Sequence, residues 1–217
     1  MAKLMNIDEE APNKFFIFVN QLNPMTYHNL NITGRFVSGA FESISFSQEN
    51  FEKFVSGKLR FLPYEPCIMD QVALSPYFLT AINDYRIEYD IEVHREKFHP
   101  LYPSRLSAIY AFKNYETCEN VSKKYHWPLS EVRRFRLIEH QLNRIVKVNM
   151  EHISLARHAY KVTMLDDIFR LWEGYWQGFD NIILNLPTAD FQKQDFESGV
   201  IWEYLIEGSV EKLETND

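Results

Sequence analysis

Val200-Ile201-Trp202-Glu203-Tyr204-Leu205-Ile206-Glu207-Gly208 is the stretch from which the rest of the chain can be read. Six of these nine residues are apolar or aromatic, and the run ends on a glycine. That composition predicts a buried strand leading into a turn. Glu203 interrupts it between Trp202 and Tyr204. A carboxylate there costs free energy unless it is hydrogen-bonded or meets a cleft. Two readings stay open: a strand whose polar face meets water, or a catalytic carboxylate held on a rigid element. Glu207 shares the face of Glu203 if the strand is regular, since positions four apart match at period two. Its place beside Gly208 suggests a turn, so it ranks second.

Working outward, residues 1–13 are polar, contain Pro12 and read as a flexible tail. Phe15-Phe16-Ile17-Phe18-Val19-Asn20 is aromatic and continuous enough to predict a central strand. Residues 25–39 carry Gly34 and Gly39 and predict loop with short strand pieces. Ser47, with Asn50 three residues on, reads as the N-cap of a short helix striped by Phe51, Phe54 and Val55 and stopped at Gly57. Pro63 and Pro66 mark a turn. After Pro76, apolar residues at Phe78, Ile82, Tyr85, Tyr89 and Val93 predict a helix of about four to five turns. Asp84, Arg86, Glu88, Asp90 and Glu92 are expected on its solvated face. Pro100 and Pro103 forbid continuation.

A strand over 109–112, a helix over 116–125 and strands over 132–138 and 144–148 follow. Residues 151–172 read as a helical region broken near Thr163 and closed by Gly174-Tyr175-Trp176-Gln177-Gly178. A loop through Pro187 and Gly199 then leads to the Glu203 strand, with a final strand over 210–213. Strands and helices mix without regular alternation, which argues for α+β over a doubly wound sheet. The expected organisation is one domain over 14–217, with a helical insertion at about 47–99.

The 217-residue chain is 46% hydrophobic and 15% aromatic, far from a disordered composition. Its net charge of −7 argues against broad nonspecific binding to duplex nucleic acid. No apolar run approaches a membrane span and the N-terminus lacks a signal-peptide pattern, so no membrane association is expected. Cys67 and Cys118 make no disulfide framework, which fits a cytoplasmic setting. His94 and His99 are five apart, and His152 and His158 six, which is not the spacing that puts two ligands on one helical face, so no metal is expected. No Gly-rich phosphate loop or nucleophile elbow occurs. Arg133, Arg134 and Arg136 form a basic cluster, by default a solvated face and otherwise a polyanion contact.

Three separated pieces remain: Pro103-Ser104-Arg105 entering a strand with Ser107 and Tyr110, Tyr175-Trp176-x-Gly178, and Glu203-Tyr204-Leu205-x-x-Gly208. Together, in this order, they resemble an uncharacterised bacterial family of the ADP-ribosyltransferase superfamily, whose pattern runs Pro-Ser-Arg, Tyr-Trp-x-Gly, Glu-x-Leu-x-x-Gly. The resemblance covers roughly residues 90–213, and the Phe15–Asn20 strand would be the first of the fold. It implies a split, mixed β-sheet core with flanking helices and an enzyme that cleaves NAD and transfers ADP-ribose to an acceptor. Glu203 would be catalytic. Arg105, with Arg95, would pair with the pyrophosphate, Tyr110 would stack on nicotinamide, and Tyr102 would form the opposite wall. Ser104 would tie its loop to Glu203 or to the ribose. The superfamily usually carries His or Arg on the first strand to hold NAD; here the strand offers Asn20 and Gln21, with His28 downstream, and Ser104 and Ser107 stand in for its Ser-Thr-Ser.

The resemblance further implies a cytoplasmic toxin or anti-phage defence effector that marks protein or single-stranded nucleic acid such as RNA, held in check by an antitoxin protein. Two alternatives belong to other classes: a catalytically inactive binding module on the same scaffold, and an NAD glycohydrolase with water as acceptor.

Overall fold

The structure is a computed structural model that describes residues 11–19, 30–62, 76–162, 168–188, 190 and 192–214. In chain order its elements begin with β1 (Lys14–Phe18), β2 (Arg35–Val37), α1 (Gly39–Phe46), α2 (Gln48–Val55) and α3 (Pro76–Phe98). Next come β3 (Ile109–Ala111), α4 (Tyr115–Tyr125), β4 (Val132–Ile138), β5 (Arg144–Asn149), α5 (Glu151–Val162) and α6 (Ile168–Trp176). The chain closes with β6 (Ile183–Pro187), β7 (Lys193–Glu197), β8 (Trp202–Glu207) and β9 (Ser209–Lys212). The architecture is α+β. Among the described residues, no helix is long and apolar enough to cross a membrane.

The chain divides into two compact units, each assembled from separated segments. The first comprises Met1–Leu59, Leu101–Lys147 and Trp202–Asp217; the second comprises Arg60–Pro100 and Val148–Ile201. The helical insertion expected at about 47–99 falls in both, because α2 belongs to the first unit and α3 to the second.

In the first unit, four strands pair in the order β1-β4-β9-β2 and three in the order β3-β8-β5. The registers β1 to β4, β4 to β9, β2 to β9 and β3 to β8 are antiparallel. Strand β1 ends its ladder rather than standing at its centre, and buried Phe15 and Ile17 alternate with less buried neighbours. Its outer edge is still covered, because Phe16 and Phe112 exchange two backbone hydrogen bonds of 2.8 Å. Phe15, Ile17, Phe135, Ile145, Tyr204, Ile206 and Val210 form the core. Gly208 is the single residue between β8 and β9, where the chain passes from one sheet to the other. A Cβ there would come within 2.7 Å of Asn143 Oδ1, so any larger residue must displace the Asn143 amide.

Ser47 caps α2 as its sequence indicates, accepting a hydrogen bond from the Asn50 N–H at 3.3 Å, and Gly57 takes φ +70 just past its end. Helix α1 covers a stretch for which no element is expected beyond Gly39. Its signal is Ser38, which accepts from the Phe41 N–H at 3.3 Å. Helix α4 is capped by Asn114, whose Oδ1 accepts from the Thr117 N–H at 2.8 Å.

In the second unit, α3 packs against α5 and α6, and β6 and β7 form an antiparallel hairpin. The hairpin replaces the expected loop through Pro187; Leu184 and Leu186 alternate with exposed neighbours at the period of a half-buried strand. Helix α3 is longer than expected, 23 residues. Its buried face is also rotated: Ile87, Ile91, Glu92, His94 and Arg95 are buried, whereas Val93 is 38% exposed. Glu92 is therefore not solvated. It is fully buried and receives two bonds from Arg95, at 2.7 and 3.1 Å, so an intrahelical ion pair took the place of an apolar stripe. The break near Thr163 and the turn at Pro63 and Pro66 lie outside the described residues.

Candidate active site

Strand β8 delivers two carboxylates to one face. Tyr204 and Ile206 enter the core, so Glu203, Leu205 and Glu207 point to the other side. Both glutamates are buried, Glu203 to 5% and Glu207 to 1% exposure. The reading of a strand whose polar face meets water does not survive that burial.

The segment after Pro103 folds around them. Arg105 Nη1 reaches Glu203 Oε1 at 3.3 Å, an ion pair across 98 positions of sequence. The Tyr110 hydroxyl donates to the Arg105 carbonyl at 2.7 Å, and the Arg105 guanidinium lies 5.3 Å from the Tyr110 ring centre. Register places Tyr110 opposite Leu205, between the two carboxylates along β8. Tyr110 therefore fixes the main chain of the arginine that faces Glu203 and stacks on its side chain.

Glu207 has a different set of neighbours. Its Oε1 accepts from the Ser104 N–H at 3.0 Å and from the Ser107 hydroxyl at 2.7 Å. Its Oε2 lies 3.7 Å from Arg144 Nη1. Arg144 in turn packs its guanidinium 3.7 Å from the Phe54 ring centre and donates to the Phe54 carbonyl. Ser104 Oγ accepts from the Leu106 N–H at 3.1 Å, which closes the turn locally. The Ser104 N–H thus ties its loop to Glu207. The two carboxylates are matched by two guanidinium groups, Arg105 and Arg144, all four side chains buried. Burial of charge on this scale holds only where partners and donors are in place.

The structure brings together Ser104, Arg105, Tyr110 and Glu203, and adds Ser107, Arg144 and Glu207. Tyr102 is half-buried on the loop before Pro103. Arg95 belongs to the second unit, where it binds Glu92 and donates to the Pro100 carbonyl at 3.2 Å. Asn20 lies outside the described residues. Tyr175 and Trp176 are buried in the second unit, with Trp176 Nε1 donating to the Ile91 carbonyl at 3.3 Å, so they are core. Arg144 is the residue sequence reasoning passed over. Its signal was a cation opening the otherwise apolar run Ile145-Val146.

On the first unit, a cleft of about 570 Å³ is lined by Phe16, Tyr115, Arg133, Arg134, Lys212 and Glu214 among others. Arg136 instead forms an ion pair with Glu211 across the β4–β9 ladder. The Cys118 thiol is buried and pushed up to about 12 by that burial, which makes it a poor nucleophile.

Comparison with known proteins finds no protein-family model and no curated protein that matches this chain.

Proposed function

We propose that this protein is an NAD-dependent mono-ADP-ribosyltransferase. The observation that carries the proposal is the meeting of two of the three motif pieces: Arg105 of Pro-Ser-Arg faces Glu203 of the Glu-x-Leu-x-x-Gly strand at 3.3 Å, with Tyr110 packed on the arginine. Two small sheets, bridged at Phe16–Phe112 and through Gly208, support the split β core that the resemblance implies.

In this reading the bond between C1′ of the ribose and the nicotinamide nitrogen breaks, and its electron pair leaves with nicotinamide. The ribose then carries oxocarbenium character, which a nearby carboxylate stabilises. Glu203 accepts a hydrogen bond from a ribose hydroxyl and takes part in removing the proton from the incoming acceptor. Arg105 holds Glu203 in place and supplies positive charge for the pyrophosphate. Tyr110 offers its ring to nicotinamide. Glu207 holds the loop through Ser104 and Ser107 and faces Arg144. The acceptor is a macromolecule, and the cations and aromatics of the 570 Å³ cleft, Arg133, Arg134, Lys212, Phe16 and Tyr115, favour a single nucleic-acid strand over protein. A toxin or defence effector of this kind works in the cytoplasm beside a neutralising protein.

The test is incubation of the purified protein with labelled NAD and whole-cell lysate, separated into protein, DNA and RNA. Label in one fraction, lost in Glu203→Gln, is the expected result. Intact NAD and no labelled fraction would refute the enzyme. A second reading, the inactive binding module, draws on one observation: Arg105 is engaged by Glu203 inside the fold, away from any phosphate. Tight NAD binding without turnover would single it out. Free ADP-ribose with no labelled macromolecule would identify a glycohydrolase.

A further inference from the structure

The second unit holds a cluster that the chemistry at Glu203 does not use. His94 lies in the last turns of α3, His99 one residue past its end, and Glu173 in α6. On a continuing helix, residues five apart project about 140° from each other. The helix stops at Phe98, however, and the chain turns so that the two imidazoles stack with centroids 5.8 Å apart. His94 Nε2 lies 3.3 Å from Glu173 Oε2, and His99 Nε2 lies 3.6 Å from the same oxygen. The potential ligand atoms of the three side chains are all within 4.8 Å of one another.

We propose that His94, His99 and Glu173 bind one divalent cation of the zinc class, which clips the end of α3 to α6. Three observations support it. Zinc bonds of about 2.0–2.1 Å in a tetrahedron set neighbouring ligand atoms about 3.3–3.4 Å apart; the His94–Glu173 edge, 3.3 Å, has that length, and the His99–Glu173 edge, 3.6 Å, is slightly longer. His94 is 6% exposed, and among the described residues neither ring nitrogen has a hydrogen-bond partner. An orphaned buried nitrogen is costly, and a metal at Nε2 would satisfy that one of the two. Gln177 Nε2 donates to the Glu173 oxygen Oε1, which leaves Oε2 directed at the histidines and orients the carboxylate as an outer partner does in metal sites. Two nitrogens and one carboxylate leave a fourth position for water, and suit zinc better than magnesium.

The test uses the full chain and zinc itself. After purification and dialysis, metal analysis should find about one zinc per chain. Stripping with a chelator should lower Tm by several degrees, and Zn²⁺ but not Mg²⁺ should restore it. Glu173→Gln and His99→Ala should each abolish the zinc-dependent shift while folding at the apo Tm. Absence of any zinc-dependent Tm change in the wild type overturns the proposal. So does an equal response to Mg²⁺, or an undiminished zinc shift in both variants. None of these readouts depends on NAD chemistry.

Discussion

Glu203 and Glu207 stand four residues apart on β8 and face the same way, but the chain surrounds its two ends differently. Glu207 is held by a backbone N–H and a hydroxyl, with a guanidinium 3.7 Å away that is itself pinned by Phe54. Its bonds reach Ser104 and Ser107, so the carboxylate serves as the internal scaffold of the loop. Glu203 faces Arg105, whose main chain is fixed by Tyr110. One end of the strand is built like a capped anchor and the other like a charge held ready beside an aromatic wall. Under the proposed function, two identical side chains on one rigid element carry a structural and a chemical role, and the neighbours distinguish them.

The largest expected effect is at the anchor. Glu207→Ala leaves Arg144 buried without its carboxylate and strips acceptors from Ser104 and Ser107. It should cost about 3–5 kcal/mol of stability, read by denaturant unfolding. A loss under about 1 kcal/mol would break the contrast between the two ends. At the other end, Glu203→Gln keeps an oxygen for Arg105 and should cost only about 1–2 kcal/mol. Label transfer from NAD should nevertheless fall by about 100-fold or more.

Gly208→Ala sharpens the comparison from the strand end. The added Cβ would meet Asn143 Oδ1 at 2.7 Å, beside the backbone that holds Ser38. A loss of about 1–3 kcal/mol in thermal unfolding is expected, shared with the Glu207 anchor more than with Glu203. Tyr110→Phe removes one hydroxyl bond and keeps the ring. It should cost about 1 kcal/mol and raise KM for NAD little, because stacking remains.

Acid separates the units by another route. His152, buried in the second unit, is lowered by burial from 6.5 to about 4. The unfolded chain therefore takes up this proton first as pH falls. The stability contribution is full above pH 6.5 and is lost progressively between 6.5 and about 4. Urea unfolding of wild type and His152→Gln across that window should show a shallower acid loss in the variant.

How far all this could be read beforehand follows from periodicity and distance along the chain. Strand β8, the Ser47 cap, β4 and the α+β class were legible because their signals are local. Helix α3 was legible as a helix but not in its facing, since Glu92 and Arg95 satisfy each other inside the burial stripe and erase the apolar signature. The β6–β7 hairpin was hidden by Asn185, Pro187 and the polar run Lys193-Gln194-Asp195, which read as loop. In the candidate site, Glu203, Arg105 and Tyr110 came from motif pieces. The bonds from Ser104 and Ser107 to Glu207 span about a hundred positions, and Arg144 joins from a third segment. No local pattern encodes such a closure, because it arises only when separated segments pack together.

The division of labour along β8 is tested most directly by assaying purified wild type, Glu203→Gln and Glu207→Gln side by side for nicotinamide release from NAD and for denaturant stability. The expected result is a split: Glu203→Gln folds nearly as wild type and releases almost no nicotinamide, whereas Glu207→Gln is markedly destabilised and keeps turnover in proportion to its folded fraction. Full nicotinamide release by Glu203→Gln, or no release by wild type, would contradict the assignment of chemistry to Glu203.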